Sequence, residues 1–314
     1  MFISKGQSYS PARGRLTAPE QIGLQRLRPA FPDWVQEYRS HTVDGISVSI
    51  ITPFERAWQY RELIRAILTR ELASRFSGSL FGWIWAVAAP LVMMSAYTVV
   101  FSGILTISSS NAQSGIGARS LVIFSGITLF SLFSELFYRA PSMLHEHAGF
   151  IKKSIFPTEA LAWIAVFRGL VYTTISFAVL LVFEFALTLQ LPWTVIFLPM
   201  VIAPFVLFLL GCVWFLMALG AFTRDVVHLM ATIIPLMMFV TPVFYRFSDM
   251  PEQVRPWAHV NILGDYIDIV RDIVLYGQIP SLSMYGICFL VSYAVFLLGY
   301  NFFIKYKSIF VDVI

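Results

Sequence analysis

Between Arg75 and Arg119 the chain runs 43 residues without one aspartate, glutamate, lysine or arginine. A helix rises 1.5 Å per residue, so about 20 apolar residues cross a ~30 Å hydrocarbon core. Residues 185–223, 226–245 and 273–304 are equally free of these four types. A charge at the bilayer centre costs ~2.5–3.5 kcal/mol on insertion scales, so gaps of this length are the mark of insertion. Of the 314 residues, 58% are hydrophobic and 13% charged, about half the charged share of a soluble domain. These features predict an all-α, polytopic membrane protein.

Six spans are expected, at about 81–104, 120–141, 158–188, 194–220, 228–246 and 284–304. The first ~50 residues are polar, contain Pro11, Pro19, Pro29 and Pro32, and lack the apolar stretch of a signal peptide. The N-terminus is therefore expected in the cytoplasm. That orientation leaves seventeen Lys and Arg on the inside. Eleven precede the first span, and the others are Arg139, Lys152, Lys153, Arg224, Lys305 and Lys307. Four fall outside, Arg119, Arg246, Arg255 and Arg271, while Arg168 lies within the third span. The bias supports cytoplasmic N- and C-termini. It also assigns the net charge of +4 to topology rather than to nucleic acid.

The expected parts are a polar extension over 1–51, an interfacial helix over 52–75 and a six-span region over 76–314. Thr52-Pro53-Phe54-Glu55 has the pattern of a helix N-terminus. The following residues place Tyr60, Leu63, Ile64, Ile67, Leu68 and Leu72 on one stripe, with Arg61, Glu62, Arg65, Thr69 and Arg70 around the rest. Such a helix either anchors the first span at the surface or offers a docking face to a cytoplasmic partner. In the outer loop of about 247–283, Ile262, Tyr266, Ile269, Val270 and Ile273 share a helical spacing. Asp265, Asp268 and Asp272 fall on another face, expected to be solvated. Cys212 and Cys288 lie inside apolar runs, as small hydrophobes do.

No GxxxxGK[ST] loop is present, since Lys153-Ser154 and Lys307-Ser308 lack the preceding glycine. His145-Glu146-His147 is not HExxH, and no nucleophilic or paired-carboxylate set stands out. The chain reads as a conduit or a partner, not an enzyme, with no metal or cofactor of its own.

Residues 60–105, YRELIRAILTRELASRFSGSLFGWIWAVAAPLVMMSAYTVVFSGIL, resemble the membrane subunit of the polysaccharide-exporting ABC transporters. These are type-2 exporter permeases that secrete O-antigen, capsule or teichoic acid. The likeness rests on Arg75, Ser77, Gly78, Ser79, Leu80, Gly82, Trp85 and Ala86. Three further segments follow in the family's order. FIKKSIFPTEALAW, residues 150–163, carries Lys152, Lys153, Phe156, Pro157 and Glu159. Residues 220–245 carry Arg224-Asp225-Val226 and Thr241-Pro242-Val243-Phe244-Tyr245, and the chain ends in FFIKYKSIFVDVI. The O-antigen type is the closest pattern. The polar first ~50 residues depart from it.

The resemblance implies two copies of this chain paired with two copies of a separate ATP-binding subunit, which holds ATP and Mg. It implies residence in the inner, cytoplasmic membrane and a cargo of lipid-linked polysaccharide on undecaprenyl pyrophosphate. Contact with the ATPase is then expected through Arg61, Arg65, Glu146, His147, Lys152, Lys153, Arg224 and Asp225. The pyrophosphate needs cations, for which Arg70, Arg75, Arg139 and Arg168 are the candidates. Arg139 stands one turn from Glu135 and is alternatively a structural pair with it. Arg168 alternatively pairs with Glu159, Glu135 or carbonyls. Tyr97, Phe101, Phe133, Phe137, Phe239 and Tyr245 are candidate lining for a sugar path, or else packing and lipid-facing aromatics. Rival readings are a drug or lipid exporter of the same class, a secondary transporter, and a carrier-lipid glycosyltransferase.

Overall fold

A computed structural model of the chain describes residues 52–105, 116–153, 157–247, 250, 253 and 259–313. The side chains of 101–105, 116–118, 150, 152–153, 308 and 310–313 are not among those described. The expected extension over 1–51, the side chains of Phe101, Lys152 and Lys153, and Phe156 and Arg255 lie outside this set.

All regular structure among the described residues is helical. The principal helices are α1 (Thr52–Gln59), α2 (Arg61–Arg75), α3 (Ile84–Leu105) and α4 (Ile116–Arg139). Two short helices follow, α5 (Met143–Glu146) and α6 (Ala148–Lys153). Then come α7 (Ala160–Thr188), α8 (Leu198–Phe222), α9 (Asp225–Val240), α10 (Ile262–Val274) and α11 (Leu282–Val313). Single 3-10 turns precede α5 and α8. Four stretches are long and apolar enough to cross a membrane: Arg119–Glu146, Ala160–Thr188, Trp193–Phe222 and Leu282–Lys307. Ile84–Val100 and Asp225–Val240 are shorter apolar helices.

The expected helix over 52–75 is two helices. Tyr60 leaves the helical region (φ −96°, ψ 15°), and the bend lets each piece meet a different neighbour. Phe54 of α1 packs on Trp163 and Phe296 at centroid distances of 6.0 and 5.2 Å. In α2 the apolar stripe turns inward onto α7, with Ile64 buried, while Arg61, Glu62, Arg65, Thr69 and Arg70 stay exposed.

The closest helix pair is α8 with α11. A β-carbon at Gly299 would overlap the Gly211 carbonyl, and one at Gly211 would overlap the backbone of Val295. Small residues allow backbones to approach this closely, the usual device of helix pairs in lipid. Beside this crossing Trp214 is fully buried, with ring contacts to Phe296 (5.4 Å) and Tyr300 (4.9 Å). Tyr266 of α10 shares a hydrogen bond with Ser292 of α11 at 2.8 Å.

The segment after α9 is where the expected fifth span, 228–246, departs from a helix. The helix stops at Val240, and Thr241 is extended (φ −79°, ψ 136°). The freed carbonyls of Pro242, Val243 and Tyr245 accept hydrogen bonds from the Arg271 guanidinium at 2.8, 2.6 and 2.9 Å. Its Nε donates to the Val122 carbonyl of α4 at 3.1 Å. Arg271 is fully buried, not a loop charge setting topology as the sequence suggests.

The carboxylates of α10 are likewise not a solvated face. Asp265 is buried 2.7 Å from His259 Nδ1, and Asp268 and Asp272 lie 3.6 and 2.8 Å from Arg246. Burial pushes the Asp265 carboxyl above its ordinary range, against the pull of His259. The apolar face of α10 needs cover on both sides, and packing it there brings these carboxylates inside with it.

Replacing Arg271→Met keeps the volume but leaves these buried carbonyls without their donor. Groups of this kind contribute on the order of 3 kcal/mol when hydrogen-bonded to a charge. A drop of several degrees in thermal midpoint of the purified chain in detergent is expected, and an unchanged midpoint would refute the clamp.

Candidate functional site

At the end of the bundle where α4 finishes and α7 begins, four elements bring charge together. Glu71 and Arg75 sit one turn apart near the end of α2, Glu135 and Arg139 in the last turn of α4. Glu146 ends α5, and Arg168 stands two turns inside α7. Arg168 donates to Glu71 at 3.1 Å and to Glu135 at 2.7 Å. Arg75 stands 3.7 Å from Glu135 and stacks 4.2 Å from the Tyr172 ring centroid. Arg139 stands 3.9 Å from Glu71 and 3.8 Å from Glu146. With Ser74, Ser131 and His147 these side chains line a cleft of about 860 Å³.

Arg168 is the most buried member, 8% exposed. Its Nε has no hydrogen-bond partner among the described residues. The set holds three guanidiniums and three carboxylates, so its charges balance. An anion could engage the arginines only in competition with these carboxylates.

Three of the four cations expected to serve a headgroup, Arg75, Arg139 and Arg168, thus meet. Arg70 does not, because it lies on the exposed face of α2 with Glu62, Arg65 and Thr69. The expected pair of Glu135 with Arg139 does not form. Glu135 turns to Arg168 and Arg75 on other helices, and Arg139 turns to Glu71 and Glu146. Arg168 has Glu135 among its foreseen partners but not Glu159. Glu71 carries no sequence signal beyond its place near Arg75, and only the packing of α2 on α7 reveals it.

The aromatics do not converge. Phe133 is buried and stacks 3.9 Å from Phe137 on α4, while Tyr97 is half-buried on α3. Phe239 is exposed, and the Tyr245 hydroxyl donates to its carbonyl at 3.2 Å beside the α10 end of the bundle.

Glu159, just before α7, forms a second charged node. It accepts from Arg56 of α1 at 3.0 Å and from Lys307 of α11 at 2.6 Å, and is 2% exposed. Its carbonyl takes the Trp214 indole N–H at 3.1 Å. One carboxylate therefore joins the beginning, middle and end of the described chain.

Of the expected partner-facing residues, Glu146 and His147 line the cleft. Arg61 lies 4.9 Å from the exposed Trp58 ring, and Arg65 is exposed. Glu146 also accepts from the Ser142 hydroxyl, and His147 Nδ1 lies 2.8 Å from the Met143 carbonyl. Arg224 and Asp225 form an exposed turn with no ion pair among the described residues. Four residues before that turn, Gly220 packs so closely on Pro141 that a β-carbon there would overlap it. No group of His, Cys, Asp or Glu suited to a metal occurs among the described residues.

Residues 62–275 match the family model described as ABC-2 type transporter. The O-antigen export system permease protein RfbA of Myxococcus xanthus is 26% identical over 196 residues, 62% of this chain and 73% of that protein. A protein of the same name from Klebsiella pneumoniae is 24% identical over 255 residues, 81% of this chain and 95% of that one.

Removing Arg168 by an Arg168→Gln exchange strands Glu71 and Glu135. The penalty for a broken buried pair is reduced here by their partial exposure, to about 2 kcal/mol. In chemical unfolding of the purified chain, the double exchange with Glu135→Gln should cost less than the sum of the single ones. Strict additivity would contradict the pairing.

Proposed function

The chain belongs to the ABC-2 type transporter family, as a membrane-embedded transport component and not an enzyme, and from that premise we propose what it carries and with whom. Its cargo is an O-antigen-like polysaccharide linked to undecaprenyl pyrophosphate, exported across the inner membrane. The names of the two relatives described above, O-antigen export permeases, support that cargo. The working unit is two copies of this chain with two copies of an ATP-binding subunit that holds ATP and Mg.

In this reading the six apolar helices α3, α4, α7, α8, α9 and α11 all traverse the bilayer, and both termini are cytoplasmic. The short α9 is completed by the non-helical segment held on Arg271, since backbone off the helix is tolerated at membrane depth when protein covers it. The domain division follows, with 1–51 as a cytoplasmic extension, 52–75 lying at the inner surface and 76–314 forming the membrane region.

One observation carries the cargo assignment within the fold: the convergence of Arg75, Arg139 and Arg168 on one cleft. Arginine offers paired N–H donors to phosphate oxygens. The cleft opens at the end of the bundle that carries α2, Lys307 and the 224–225 turn. A lipid headgroup can arrive there from the inner leaflet. The face bearing Arg61 and Arg65, the 143–153 segment with Glu146, His147, Lys152 and Lys153, and the Arg224-Asp225 turn would meet the ATPase.

Deleting the gene in its host should make lipid-linked glycan accumulate inside while surface glycan disappears. An Arg168→Lys allele, keeping the charge but not the fork, should restore export only partly. If the surface glycan is unaffected by the deletion, the cargo is wrong and a small-molecule or lipid exporter becomes the leading account.

A further inference from the structure

The arginines of the cleft are already occupied. Glu71 stands against Arg139 and Arg168, Glu135 against Arg168 and Arg75, and Glu146 against Arg139. An anionic ligand must take the place of at least one carboxylate. Of the three arginines, Glu146 touches Arg139 alone, so freeing Arg168 falls to one of the other two carboxylates, and geometry separates them. Glu135 has the 2.7 Å bond to Arg168 and belongs to the same rigid helix as Arg139. Glu71 lies farther from both of its cations, at 3.1 and 3.9 Å, on the separate surface helix α2. The 3.9 Å pair with Arg139 joins partly exposed side chains and contributes little, whereas phosphate oxygens make paired, charge-assisted bonds to guanidinium.

We propose that Glu71 is a resident stand-in for the ligand, and that a pyrophosphate headgroup entering the cleft displaces its carboxylate from Arg139 and Arg168, loosening α2 from α4 and α7. The inference rests on the headgroup reading of the cleft given above. Arg168 is prepared for the exchange, since its buried Nε–H lacks an acceptor among the described residues and a phosphate oxygen would supply one.

Displacement has a mechanical consequence. Glu71 ties α2 to both α4 and α7 by charge, beside Arg75, which stands against Glu135 of α4 and stacks on Tyr172 of α7. The apolar part of the attachment is a stripe in which Ile64 is the buried member. Cargo binding is thereby reported to the exposed face that carries Arg61, Arg65 and Arg70. By linkage the effect is reciprocal: whatever presses α2 onto the bundle restores Glu71 to the arginines and lowers affinity for the headgroup. Cargo recognition and release are then two settings of one contact.

The test uses the full chain in nanodiscs of phosphatidylcholine, titrated calorimetrically with inorganic pyrophosphate at fixed ionic strength. Glu71→Gln removes the competitor and should bind about fivefold more tightly than the unaltered chain, the factor that corresponds to one partly exposed ion pair. Glu62→Gln changes the net charge equally but lies on the exposed face of α2, and it should leave affinity unchanged. Hydrogen exchange of the amides of 61–75 should rise on pyrophosphate addition in the unaltered chain, and be high already in Glu71→Gln. If Glu71→Gln is poorly folded, Glu146→Gln, which relieves Arg139 alone, should shift affinity in the same direction. Equal or weaker binding by the Glu71→Gln chain, with binding by the unaltered chain intact, refutes the exchange and leaves the headgroup reading standing. Absence of binding by either chain refutes the headgroup reading, and the exchange with it.

Discussion

A charge largely withdrawn from water must find its counterpart within the fold, and three such charges organise this bundle. Arg271 meets carbonyls freed where α9 stops. Glu159 meets Arg56 and Lys307. Arg168 meets Glu71 and Glu135. The cost of an unmatched charge in a low-dielectric interior far exceeds the net gain from a matched one. Each node therefore acts less as a source of stability than as a condition on which helices lie beside which. Each joins elements distant in sequence, and together they fix both ends of the bundle.

Between these nodes the helices are held by shape. Glycines at 211 and 299 let α8 and α11 touch backbone to backbone, and Trp214 fills the space beside them. That crossing has no side chain between the two backbones at Gly211 and Gly299. The charged cleft is its opposite. It is built by a surface helix, one short helix and the ends of α4 and α7, linked by ion pairs several of which exceed 3.5 Å. A region with few buried apolar contacts opens at lower free energy than the core. On the proposed reading, recognition and coupling fall to this loosely held part, on a more tightly packed frame.

The approximate extent of the helices was legible in the sequence because length and apolarity alone set it. The depth of Arg168 was legible too, since an intramembrane charge is conspicuous in a charge-free run. Its partners were only partly legible. Helical spacing names neighbours on the same helix, so it offered Glu135 to Arg139. In the fold that carboxylate is closer to an arginine of α7 than to its own helix's. The same limitation made Asp265, Asp268 and Asp272 look solvated and Arg271 look like a loop charge. Periodicity shows that a helix has two faces but not whether a second layer covers the polar one. For α10 it does, and Arg246 and His259 complete the cover.

What the sequence determined by itself is the class of protein and its membrane solvent, because the penalty for charge in hydrocarbon acts residue by residue and leaves its record in the order of amino acids. It also determined the family, through short segments kept in order along the chain. What only the tertiary structure decided is which charges meet. Coulomb energy depends on the separation of side chains brought together by helix packing, and that separation between Glu71 and Arg168, 97 positions apart, is written in no local pattern.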